Sequence, residues 1–139
     1  MISATLKRYA KALRLCARGK PVAVGGLPVA LVSTANHREH PLAKARRIRA
    51  IRTAARLRAA GLVRGNGLEL PLVVRIVRVA PRAHHELDRD NLENGAKAIR
   101  DGIADALHVD DRDPRLEFVV DQELVDRGAP FVALEVYRP

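Results

Sequence analysis

The stretch from Leu87 to Pro114, LDRDNLENGAKAIRDGIADALHVDDRDP, holds seven aspartates in a chain whose formal charge is +9. Carboxylates forced together raise each other's pKa and oppose folding unless a cation joins them. Oxygen-only donors of this kind suit a hard divalent ion, Mg²⁺ or Mn²⁺, which keeps several waters and commonly sits beside a phosphate substrate. In phosphodiester hydrolysis one or two such ions activate the attacking water and stabilise the leaving oxygen. A nearby lysine would stabilise the charged transition state. The acidic side chains that could meet are Asp88 and Asp90, ahead of the intervening segment, and Asp110 and Asp111 behind it.

Their positions depend on the segment between them. A helix from about Asp90 to Leu107 puts Leu92, Ala96, Ile99, Ile103 and Leu107 on one side and Asp90, Asn94, Lys97 and Asp101 on the other. If the preceding strand delivers Asp88, strand alternation lets Asp88 and Asp90 point the same way. Asp110 and Asp111 then open the turn toward the next strand. Purely structural roles fit some of the same residues: Asp90 with Glu93 as a capping box, Asp88 as a cap or turn residue, Lys97 with Asp101 as an i,i+4 pair, and DDRDP as turn chemistry. On these grounds Asp101, Asp105 and Asp113 are assigned to structure. His37, His40, His84, His85 and His108 read as loop surface.

The remaining elements follow from period and punctuation. Residues 3–18 place Leu6, Tyr9, Leu13 and Cys16 at helical steps, with Gly19 as a stop. The apolar run Leu27 to Val32 reads as a strand followed by a loop. A helix starts at Pro41 and runs to Gly61, with Ile48, Ile51 and Ala55 as its buried stripe and Arg49, Arg52 and Arg56 as a basic one. A strand spans 69–79, with Arg75 and Arg78 on opposite faces. RLEFVVDQEL and PFVALEVYR form two more strands, joined by VDRGA as a hairpin link. The order helix, strand, helix, strand, helix, strand, strand predicts an α/β or α+β fold, a single domain with helices packed on a mixed sheet.

With 139 residues and 47% hydrophobic content the chain can bury a core, and with aromatics at 3% that core must be Val, Leu, Ile and Ala. Cys16 stands alone, so no internal disulfide forms and a cytoplasmic setting is expected. No stretch reaches bilayer-spanning length, so no membrane partner is expected. The charge is polarised: residues 1–80 hold 17 Lys and Arg against 2 Asp and Glu, and residues 81–139 hold 8 against 14. A basic half reads as a surface for a polyanion, since neutralised phosphates release counterions.

LDRDNL, then KAIRDGIADAL, then VDD resembles the core of the RusA-type Holliday junction resolvases, endodeoxyribonucleases of phages and prophages. LPVALVSTANHREHPLAKARRIRAIR is similar to that family's N-terminal strand, Asn-containing loop and basic helix, so the likeness covers residues 27–137. It implies a homodimeric, Mg²⁺-dependent nuclease that cuts branched DNA at two symmetric sites. By matching positions it makes Asp88, Asp90 and Asp111 catalytic metal ligands with Asp110 beside them, Asn91 a flanking polar residue toward DNA, and Lys97 the catalytic lysine. On the basic helix it makes Lys44, Arg46, Arg47, Arg49, Arg52 and Arg56 the candidate DNA contacts.

Lys97 lies seven residues beyond Asp90, a turn later than the family's commonest spacing, as though ENG were inserted. Two local structures are compatible with this. A continuous helix keeps Lys97 on the Asp90 face with its Cα about 10 Å along the axis. Alternatively Asn94-Gly95 turns the chain and the helix starts later, with Lys97 in its first turn. Residues 1–20 lie outside the resemblance and read as an N-terminal extension to a nuclease domain over 21–139. The expectation is a metal-dependent endonuclease for branched DNA, and the competing class is a non-catalytic nucleic-acid-binding protein of the same fold.

Overall fold

A computed structural model describes residues 4–32 and 39–139. Helix α1 (Ala4–Arg18) precedes strand β1 (Ala23–Leu27); helix α2 (Pro41–Gly65), strand β2 (Leu72–Pro81), helix α3 (Arg89–Ala106) and strands β3 (Leu116–Val125) and β4 (Phe131–Tyr137) follow. The element order is the expected one, in one mixed α/β domain.

The four strands lie in the order β1, β4, β2, β3. β2 is central, parallel to β3 and antiparallel to β4. It is buried along nearly its whole length, as its continuous apolar run requires. On one face α2 and α3 cover Leu72, Val74, Ile76, Val120, Leu134 and Val136 with Ala55, Ala59, Leu62, Leu92, Ala96, Ile99 and Ile103. On the other, α1 sets Ala12 against Val73, Val119 and Tyr137.

Several expectations need correction. β3 and β4 form no hairpin, because β2 lies between them and VDRGA crosses its end. The first strand is Ala23–Leu27, earlier than the run from Leu27 to Val32: Ala23–Leu27 pairs with Val132–Val136, and Pro28 offers no N–H to extend the ladder. The central strand covers 72–81 rather than 69–79. α2 passes through Gly61 and ends at Gly65, with Gly67 at φ 58 turning the chain. In α1 Tyr9 and Cys16 pack toward the sheet as expected, but with Ala12 and Leu15 rather than Leu13, which is exposed. Leu6's side chain and His37 lie outside the described residues. No helix among the described residues is long and apolar enough to cross a membrane.

Candidate active site

The acidic motif begins in a short irregular segment. β2 ends at Pro81, a 3-10 turn occupies Arg82–His84, and Asp88 is the N-cap of α3, so the strand itself does not deliver Asp88. Asp88 Oδ1 accepts from the Asn91 backbone N–H at 2.8 Å and Oδ2 from Asn91 Nδ2 at 2.9 Å. This satisfies one of the helix's open donors and leaves no role for a capping box at Asp90. Asp90 is exposed in the first turn, where its negative charge suits the helix's positive end. Glu93 instead pairs with Arg89 at 3.1 Å.

α3 is unbroken through Asn94-Gly95, which settles the ENG question for the continuous helix. A Cβ on residue 95 would lie 2.7 Å from the Val32 carbonyl oxygen and 2.5 Å from Leu31 Cδ2, so glycine lets the 31–32 segment cross α3 at close range. From its later position Lys97 Nζ reaches Asp101 at 3.5 Å and Asp111 at 3.9 Å. The chain doubles back after α3, and Asp111 meets the middle of the helix rather than its start. Asp110 accepts from the Arg112 N–H at 2.9 Å. That bond, then the interaction with the Asp111 carboxyl, lowers the Asp110 pKa.

Lys97, Asn94, Gly95, Ala98 and Asp101 form one wall of a groove of about 290 Å³, with Lys44, Arg47, Ile48 and Ile51 of α2 opposite. The basic residues of α2 divide. Arg47 is bonded to Glu39 at 3.0 and 2.6 Å, and Arg52 to Asp105 at 2.7 and 2.9 Å with Asp101 at 4.0 Å. Lys44, Arg46, Arg49 and Arg56 make no ion pair among the described residues, and Arg46 and Arg49 line the outer surface of α2. Arg49, Arg52 and Arg56 are therefore not one continuous free stripe. Asp101, Asp105 and Asp113 each pair with a basic side chain, Lys97, Arg52 and Arg115 in turn; the Arg115 side chain, with its N–H, brings the Asp113 pKa to about 2.

The donors of Asp88, Asp90, Asp110 and Asp111 are all oxygens, the chemistry a hard divalent ion takes. Among the described residues, however, no three His, Cys, Asp or Glu side chains are gathered in a group that could hold an ion. Asp88 has both oxygens on Asn91, and Asp111 faces Lys97.

Arg75 and Arg78 lie on opposite faces of β2 as expected, but sequence reading did not find their partners. Arg75, on the α1 face, bonds Glu135 at 2.8 Å and Asp121 at 2.9 Å, and the Tyr137 hydroxyl donates to Glu135 at 2.9 Å. Burial, with this bond, pushes the Tyr137 phenol up to about 12. Arg78 and Gln122, on the opposite face, hold the backbone just ahead of Asp88. Only the strand register could have revealed these sets, because their members lie far apart in the chain. Comparison with protein-family models, with curated proteins and with solved structures returned no match for this chain.

Proposed function

We propose that this protein is a divalent-metal-dependent endonuclease acting on branched DNA, in line with its RusA-type resemblance. The observation that carries the reading is the contact of Lys97 with Asp111. It brings the loop after α3 back to the middle of the helix, and Lys97 also lines the groove shared with Lys44 and Arg47. Cap, helix-end and turn roles account for Asp88, Asp90 and Asp110; they give Asp111 beside Lys97 no task, and a phosphodiester held near a metal would give that pair one.

Asp88, Asp90 and Asp111, with Asp110 beside them, are the residues that would hold Mg²⁺ or Mn²⁺, and the ion would supply Lewis acidity and an activated water. Asp88, which accepts from the Asn91 N–H and side-chain amide, would turn one oxygen toward the ion, with Asn91 the neighbouring polar residue toward DNA. Lys97 holds positive charge 3.9 Å from Asp111, where it can stabilise negative charge developing on a phosphate. Lys44, Arg46, Arg49 and Arg56 bind phosphates and orient the branch, and two copies of the chain would give paired nicks.

The test is cleavage of a synthetic four-way junction with Mg²⁺ or Mn²⁺. Wild type is expected to nick it, and Asp90→Asn to bind without cutting. Wild type that leaves junctions, flaps and duplexes uncut removes the enzyme reading. Salt-steep binding indifferent to the metal would then favour the non-catalytic class.

A further inference from the structure

Three residues ahead of Asp88 the backbone takes a conformation that a side chain resists. His85 has φ 56 and ψ 164, a region populated almost entirely by glycine. Such strain persists only where the surroundings over-determine it, and here two side chains do so. Arg78, 5% exposed, donates from Nη1 to the His85 carbonyl at 3.0 Å and from Nε to the Leu31 carbonyl at 3.1 Å. Gln122, its register partner on β3, takes both backbone polar groups of Leu87. The Leu87 N–H donates to Gln122 Oε1 at 3.0 Å, and Gln122 Nε2 donates to the Leu87 carbonyl at 2.7 Å. Arg78 Nη1 also donates to Gln122 Oε1 at 3.2 Å, so the two form one unit.

The composition of this unit is unusual for stability alone. Arg78 is the buried charged residue among the described core, and it forms no ion pair with a carboxylate there. A buried guanidinium without a counter-ion is costly, and an apolar residue of similar size would serve packing better. What the arginine does that an apolar residue cannot is reach three oxygens at once: on the Leu31 segment that crosses Gly95, on His85, and on Gln122.

We infer that Arg78 and Gln122 are positioning residues that lock the 85–88 segment and thereby fix where Asp88 and Asp90 stand relative to Lys97 and Asp111. The catalytic half of this inference rests on the endonuclease reading; the locking half does not.

Arg78→Lys and Gln122→Leu in the full chain test it, with hydrogen exchange by peptide mapping, thermal melting, junction affinity and cleavage kinetics measured together. Lysine keeps the charge but has a single nitrogen where arginine places Nε on Leu31 and Nη1 on His85 and Gln122, and Gln122, half-buried, can be changed with less risk to folding. Exchange over residues 82–91 should accelerate at least tenfold while β2 and the second half of α3 keep wild-type protection. Junction affinity should be unchanged and kcat should fall at least tenfold. Gln122→Glu, which retains the acceptor for Leu87 and Arg78, should recover part of the loss. Unchanged exchange at 82–91, or acceleration spread evenly over the chain, overturns the inference. So does a local loosening that leaves kcat at the wild-type value. If wild type itself cuts nothing, the endonuclease reading fails separately, and exchange alone decides whether the lock exists.

Discussion

Two glycines on the facing helices should respond oppositely to the same methyl group. At Gly102 of α3 an added Cβ would press directly on the Arg52 carbonyl oxygen and lie 2.8 Å from Ala55 Cβ and 3.0 Å from the Arg56 nitrogen. Two of these three atoms belong to the α2 backbone, so no rotamer change relieves the contact and the helices must move apart. Overpacking of this kind costs about 1–3 kcal/mol, beyond the roughly 1 kcal/mol that alanine gains over glycine in a helix. Gly61, in α2, is exposed and has open space where its Cβ would be, so only the helix gain applies. Gly102→Ala should lower Tm by roughly 3–10 °C and Gly61→Ala should raise it by a few degrees. Denaturant titration with equal m-values would confirm that the two changes act on stability alone. A Gly102→Ala variant as stable as wild type would refute the close crossing of α2 over Gly102.

Two further outcomes follow from local geometry. His85→Gly places at φ 56 the residue that tolerates it, and should raise stability by about 1 kcal/mol in denaturant melts while leaving protection at Leu87 unchanged; a loss of stability would mean that His85 is not strained. The Asp113 carboxyl, held by Arg115 at about 2, titrates below its unfolded value. Its contribution is therefore present above about pH 4 and lost as pH falls toward 2; a carbon-detected NMR titration with a midpoint near the ordinary aspartate value would contradict the Arg115 bond.

The helical half of the fold was legible because helix periodicity is local. Leu92, Ala96, Ile99 and Ile103 needed only their own spacing to declare the buried face of α3, and Pro41 declared the start of α2. The partner of each strand was not legible. The short link between β3 and β4 looks like a hairpin, yet β4 pairs with β1 and β2, because the apolar faces of β2 are best covered when it lies at the centre of the sheet. The same limit hid Arg75 with Asp121 and Glu135, and Arg78 with Gln122, whose members meet only through the register. In the acidic stretch, spacing identified Lys97 with Asp101 as neighbours on one helix. It could not say that Asp111 folds back onto Lys97, or that Arg52 would be drawn from the basic stripe to Asp105.

By itself the amino-acid sequence determined the order of elements, the aliphatic makeup of the core, and the division into a basic and an acidic half. Each of these depends on residue type and on contacts within a few positions. Only the tertiary structure decided that α3 continues through Asn94-Gly95, because what glycine permits at position 95 is the passage of Leu31 and Val32, a segment far away in the chain. It likewise decided that the backbone entering the acidic motif is held from below by Arg78 and Gln122. Long-range contacts are set by how the sheet closes its core, and no local spacing encodes that.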